Sequence, residues 1–100
     1  MNMQQMVQAM QKAQRLYDKE HKLIEEKEYE FVANGAVKAV VKGTLELIRI
    51  EFIDPELLKE DPEMVSDMIT IAFNGARDLI NKDEEELTAK YQSKASMGMF

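Results

Sequence analysis

Apolar positions recur every three or four residues over the first quarter of this chain, then every second residue, then every three or four again. Met3, Met6, Met10, Ala13, Tyr17 and Ile24 follow one another at spacings of 3, 4, 3, 4 and 7, a seam interrupted only by Glu20. This is the spacing of one helix face. Residues 2–27 contain neither Gly nor Pro and are rich in Gln, Lys, Glu, Met and Ala, all good helix formers. The pattern predicts one helix about 39 Å long at 1.5 Å per residue.

From Glu28 the period is two. Tyr29, Phe31 and Ala33 alternate with Glu28, Glu30 and Val32; Val37, Ala39 and Val41 alternate with Lys38, Val40 and Lys42. Asn34-Gly35 between these runs is a strong hairpin signal, because a type I′ turn needs positive φ at both central residues. Gly43 marks a second tight turn. Glu46, Ile48, Ile50 and Phe52 then alternate with Leu47, Arg49 and Glu51. Three antiparallel strands in a meander are expected, with two edges open to pairing.

Asp54-Pro55 closes the third strand, and a short turn through Leu57 and Leu58 follows. Asp61-Pro62-Glu63 opens a second helix, with Asp as N-cap, Pro at the first helical position and Glu favoured by the dipole. That helix is expected from Pro62 to about Lys94. Its apolar face is Val65, Met68, Ile69, Ala72, Phe73, Ala76, Leu79 and Ile80, thinning to Leu87 and Tyr91. Gly75 within it costs about 1 kcal/mol relative to Ala and so suggests close packing. The fold class is α+β, a single domain over residues 1–100. The first helix occupies 1–27, the three-stranded sheet 28–54, the corner and second helix 55–94, and a tail 95–100.

A chain of this length buries roughly 60–70% of its unfolded surface. That leaves a thin core and too little area to cover two long helices, so a homo-oligomer is expected. Met3, Met6 and Met10 at the end of the first helix, and Ile48, Ile50 and Phe52 on an edge strand, are the candidate dimer contacts. With no cysteine there is neither a disulfide nor a thiolate metal site, in keeping with a reducing cytoplasm. The opening residues lack the apolar core of a secretory signal. No apolar run approaches the length of a membrane span, so no membrane partner is expected.

Catalytic chemistry has little to build on. His21, the one histidine, has no Cys, second His or paired acid at ligand spacing, which points to packing. The serines sit in no motif, and no phosphate loop is present. Asp83-Glu84-Glu85-Glu86 lacks the spacing of a calcium loop. It reads as a solvated helix face, with Asp78–Lys82 and Glu86–Lys90 as i,i+4 pairs. No enzyme activity, metal, cofactor or small-molecule substrate is expected.

The net charge is −6, which by itself disfavours nucleic acid. Its distribution changes that picture: residues 1–24 carry a net +2 and the remainder −8. Gln5, Gln8, Lys12, Arg15, Lys19 and Lys22 recur at spacings of 3, 4, 3, 4 and 3. They form one stripe roughly opposite the methionine seam. Such side chains can donate to phosphate oxygens, contacts that position a protein without reading sequence. The alternative is an ordinary solvated helix face. Lys12, Arg15, Lys19 and Lys22 are the primary DNA-binding candidates, with Gln5, Gln8, Lys90 and Lys94 second. Lys38 and Lys42 share a strand face where Glu28, Glu30 and Glu46 are expected to neutralise them.

The chain resembles the YbaB/EbfC family of bacterial nucleoid-associated proteins over nearly its whole length. The resemblance is carried by the run Met10–Leu16, by Gly35-Ala36-Val37-Lys38 and by Ile53-Asp54-Pro55-Glu56-Leu57-Leu58. Asp61–Asp67, then Ala72-Phe73-Asn74 and Ala76, carry it further. It implies an α-β-β-β-α protomer, a homodimer whose sheets join, and binding to double-stranded DNA with little sequence preference in the cytoplasmic nucleoid. The loop before the second strand is shorter than the family's, and the tail is cut to Ser96-Met97-Gly98-Met99-Phe100. The competing expectation is an acidic dimeric protein–protein adaptor that binds no nucleic acid.

Overall fold

The computed structural model describes residues 2–96, with the backbone alone for residues 58, 60 and 93–96. Asn2 opens helix α1 (Met3–Glu26) with a reciprocal cap. Its side chain accepts from the Gln5 N–H at 2.7 Å, and its own N–H donates to the Gln5 amide oxygen at 3.2 Å. Two of the helix's orphan donors are thereby satisfied. Strands β1 (Glu28–Ala33), β2 (Val37–Lys42) and β3 (Leu47–Phe52) form one antiparallel sheet in the order β1-β2-β3. Asn34 and Gly35 take φ of 50° and 69° at the first turn, where the Ala36 N–H donates to the Ala33 carbonyl at 2.9 Å. Leu57 and Leu58, expected in a turn, begin a one-turn helix, α2 (Leu57–Glu60). Asp61 then caps helix α3 (Pro62–Ser96) through the N–H groups of Glu63 and Met64. Helix α3 thus runs two residues into the expected tail, and residues 97–100 lie outside the described residues.

The alternation expected in the third strand is interrupted. A bulge shifts the β2–β3 register between Val40 and Val41, so that Val40 faces Arg49 while Val41 faces Leu47. Leu47, not Ile48, therefore stands opposite Val41. Such a slip cannot be read from hydrophobicity here, because Leu47 and Ile48 are equally apolar.

One face of the sheet carries the core. Tyr29, Ala33, Val37, Ala39 and Val41 pack with Met68, Ala72, Ala76 and Ile80 of α3. Alanines in both layers allow a close approach. Gly75 extends this: a methyl group there would overlap the Phe31 ring. At Gly43 the turn after β2 tucks beneath the end of α1. Its N–H donates to the Lys27 carbonyl at 2.9 Å, and a Cβ would overlap the Ile24 carbonyl. On the opposite face Val40 is fully buried, although its cross-strand neighbours are Glu30 and Arg49. The stems of long charged side chains can cover such a residue. Arg49 lies 3.7 Å from Glu28 and 3.8 Å from Glu51, and Lys38 lies 3.6 Å from Glu51 and 3.8 Å from Glu30. Glu30 thus pairs with Lys38 as expected, whereas Glu28 goes to Arg49.

Helix α1 returns along α3 in the opposite direction. Tyr17 meets Tyr91, Glu20 meets Lys90, His21 meets Glu84 and Lys27 meets Asp83. The result is elongated, 69 × 20 × 15 Å, with a radius of gyration of 19.5 Å. A compact domain of this length has about 13 Å. No residue of α1 is fully buried. The two helices project past the sheet as an arm.

Candidate nucleic-acid interface

The arm separates the two sides of α1. The seam side packs on α3 through Tyr17 and Glu20, which meet Tyr91 and Lys90. A groove of about 370 Å³ runs between the helices, lined by Met10, Ala13, Gln14, Tyr17, Tyr91 and Gln92 among others. Met10 at its edge is 61% exposed, and Met3 and Met6 beyond it are 81% and 51% exposed, uncovered within the described residues. Glu20, the break in the seam, proves to be a junction residue. It accepts from the Lys90 ammonium at 2.8 Å and also bonds Tyr91. That hydrogen bond holds the Lys90 pKa above its ordinary value, against partial loss of hydration. Burial, reinforced by Glu20, pushes the Tyr91 phenol up as well.

The same junction corrects two expectations about the acidic run. Asp83 and Glu84 are not a solvated face: the Tyr29 hydroxyl donates to Asp83 at 2.7 Å, Lys27 lies 3.6 Å from it, and Glu84 lies 3.4 Å from His21. Burial, followed by the Asp83 hydrogen bond, drives the Tyr29 phenol far above its usual range. Lys90 pairs with Glu20 rather than Glu86, because antiparallel packing brings Glu20 within reach. His21 does have acidic partners, Glu25 one turn ahead on α1 and Glu84 across the junction.

The outward side of α1 is different. Lys12, Arg15, Lys19 and Lys22 are all exposed, and among the described residues none of them forms an ion pair. By contrast Lys27, Lys38, Arg49, Lys59, Arg77 and Lys90 each lie 2.8–3.9 Å from a carboxylate. The four unpaired cations span about 15 Å along the helix axis. Gln8 is exposed on the same stripe, whereas Gln5 gives its amide oxygen to the helix cap. Lys90 is occupied at the junction, and the Lys94 side chain lies outside the described residues. The structure therefore brings the four primary candidates together with Gln8, and engages Gln5 and Lys90 elsewhere.

Ile48 and Phe52 are 41% and 39% exposed, while Ile50 is half-buried against the core. Leu16 and Leu23, also exposed and one heptad apart, extend the apolar surface. Their spacing of seven was the available signal, hidden behind the more conspicuous methionines.

The profile of the YbaB/EbfC DNA-binding family matches residues 1–95. The chain belongs to this family. A nucleoid-associated protein of Malacoplasma penetrans is 36% identical over 92 residues, 88% of this chain and 94% of its own. One from Metamycoplasma arthritidis is 36% identical over 94 residues, 93% of this chain and 97% of its own. One from Alkaliphilus metalliredigens is 39% identical over 100 residues, 98% and 83% respectively. An uncharacterized Helicobacter pylori protein has a similar structure, with a TM-score of 0.72 over 90% of this chain and 96% of the other. At 19% identity that likeness concerns the fold alone. The YbaB/EbfC family is a DNA-binding family rather than an enzymatic one. No helix among the described residues is long and apolar enough to cross a membrane.

Proposed function

We propose that this protein is a homodimer that binds duplex DNA through phosphate contacts from Lys12, Arg15, Lys19 and Lys22, with little sequence preference. It acts in the cytoplasm, on the nucleoid. The observation that supports this most is the concentration of unpaired cations on one helix face, in an acidic chain whose other basic groups are largely paired. Neutralising a phosphate releases condensed counterions, and a cation without a protein partner has no ion pair to give up first. The stripe is a row of donors along one helix, an arrangement suited to a backbone and not to base edges. Membership of a DNA-binding family and the names of the relatives support the same reading. Dimerisation is supported by the elongated shape and by the exposed Met3, Met6, Met10, Ile48 and Phe52.

Replacing Lys12, Arg15, Lys19 and Lys22 together with Gln tests the assignment. Fluorescence anisotropy on a duplex should show loss of binding, while light scattering shows an unchanged mass. Normal binding by the quadruple variant would place the site elsewhere. A wild-type dimer that ignores DNA even at low salt would favour the adaptor reading.

A further inference from the structure

We propose that two copies join edge to edge through β3, antiparallel and centred on Ile50, with Arg49 of each copy paired to the partner's Glu51. The pairing presupposes the homodimer and fixes which edge and which register hold it. The sheet has two open edges, β1 and β3. On β3 the Ile53 N–H donates to the Ala36 carbonyl at 2.7 Å, and the register to β2 is regular from Phe52 back to Arg49. Backbone groups alternate in direction along a strand. Glu51 and Arg49 therefore turn theirs to β2, while Phe52 and Ile50 present their N–H and C=O groups outward.

Charge selects the register. Two antiparallel copies that share one sheet face can centre on residue 49, 50 or 51. The first sets Arg49 against the partner's Arg49, the last Glu51 against the partner's Glu51, and like charges directly opposite are destabilising. Centring on Ile50 lets the two Ile50 residues exchange both backbone hydrogen bonds and sets Arg49 opposite the partner's Glu51 twice. That is a non-hydrogen-bonded pair, with Cα atoms about 4.5 Å apart and side chains close. Both side chains have capacity to spare. The carboxylates paired with Arg49 stand 3.7 and 3.8 Å away, too far for hydrogen bonds. Glu51 Oε2 is shielded from solvent without a hydrogen-bond partner among the described residues, and Lys38 lies 3.6 Å from it. On the other sheet face α3 packs mainly over β1 and β2. Ile48 and Phe52 lie beyond its cover and are exposed, and the Ile50 register brings Ile48 beside the partner's Phe52. The β1 edge has no such complement. Its charged side chains are both acidic, Glu28 and Glu30, so no register of two β1 strands matches opposite charges.

Charge reversal tests the register. Arg49→Glu or Glu51→Arg alone sets two like-charged pairs across the axis. Either should raise the dimer dissociation constant about tenfold or more in a light-scattering dilution series. An equimolar mixture of the two variants matches opposite charges at both pairs again and should dimerise within about threefold of wild type. Single variants as tight as wild type, or a mixture no tighter than either variant alone, overturn the proposal. Amide hydrogen exchange of the wild-type protein decides the matter even if a variant fails to fold. The Gly43 N–H donates to the Lys27 carbonyl, so the same alternation leaves the Glu30 amide facing outward on β1. In the dimer the Ile50 amide should exchange slowly and the Glu30 amide quickly. An Ile50 amide as fast as that of Glu30 overturns the β3 register and leaves the dimer standing, whereas a monomeric wild type overturns both.

Discussion

The Phe31 ring occupies the notch that Gly75 leaves on α3. This contact joins an edge strand to the middle of a long helix. It also sets two effects of a single methyl group against each other.

Gly75→Ala gains about 1 kcal/mol of helix propensity. Overlap with the ring costs about 1–3 kcal/mol, as overpacking generally does. Because Phe31 is exposed, the ring can swing outward, and the cost falls at the lower end. Urea denaturation should show Gly75→Ala destabilised by about 1 kcal/mol or less, and Gly75→Val by more. On a Phe31→Ala background, Gly75→Ala should instead stabilise by about 1 kcal/mol. The same effect on both backgrounds would mean that the ring does not fill the notch.

Tyr29→Phe removes the hydroxyl that donates to Asp83 at 2.7 Å. Asp83 keeps Lys27 nearby and can hydrate, so the expected loss is about 1–2 kcal/mol. The variant also has a pH signature. The Tyr29 phenol is held well above its ordinary value by burial and by Asp83, so the folded state retains a proton that the unfolded state releases above about pH 10. Wild-type stability contains a part that is complete below that pH and is lost as pH rises further. Tyr29→Phe should show a shallower decline in alkaline unfolding titrations.

Lys90 and the α1 stripe should separate cleanly. Lys90→Gln breaks the pair with Glu20 and should lower Tm slightly while leaving DNA affinity within about twofold, since this cation is not offered to phosphate. A dimer presents eight stripe cations, so the limiting slope of log K against log salt is near −7, reduced by the acidic surface. Each stripe residue changed to Gln removes two cations and should flatten the slope by up to about 2. Binding unchanged between about 50 and 300 mM salt would contradict phosphate contact altogether.

Within β3, Ile48 and Phe52 should behave differently from Ile50. Ile48→Glu with Phe52→Glu should halve the mass in light scattering and keep the circular dichroism of the folded protein. Ile50→Asp should lower stability by about 2 kcal/mol or more, because it sets an unpaired carboxylate against the core. A double variant that remains dimeric would move the interface to the methionine arm.

The order of the two long helices and the three strands was legible in the sequence because its causes are local, although the short helix α2 and the last turn of α3 were not. Asn34-Gly35 needs no distant partner to turn, and Asp61-Pro62 none to start a helix. The change of period from Ile24 to Tyr29 marks the passage from helix to strand by itself. The stripe of Lys12, Arg15, Lys19 and Lys22 was legible for the same reason, since side chains three and four apart share a helix face wherever that helix goes. Tertiary structure decided which charges stay free. Lys90 has Glu86 one turn away but goes to Glu20, and Asp83 and Glu84 turn to Tyr29, Lys27 and His21. It also chose Leu47 over Ile48 opposite Val41 and left Met3, Met6 and Met10 uncovered among the described residues. These outcomes depend on where antiparallel α3 meets α1 and how far along it reaches. That distance is set by packing of the whole sheet against the helix, and no local pattern encodes it.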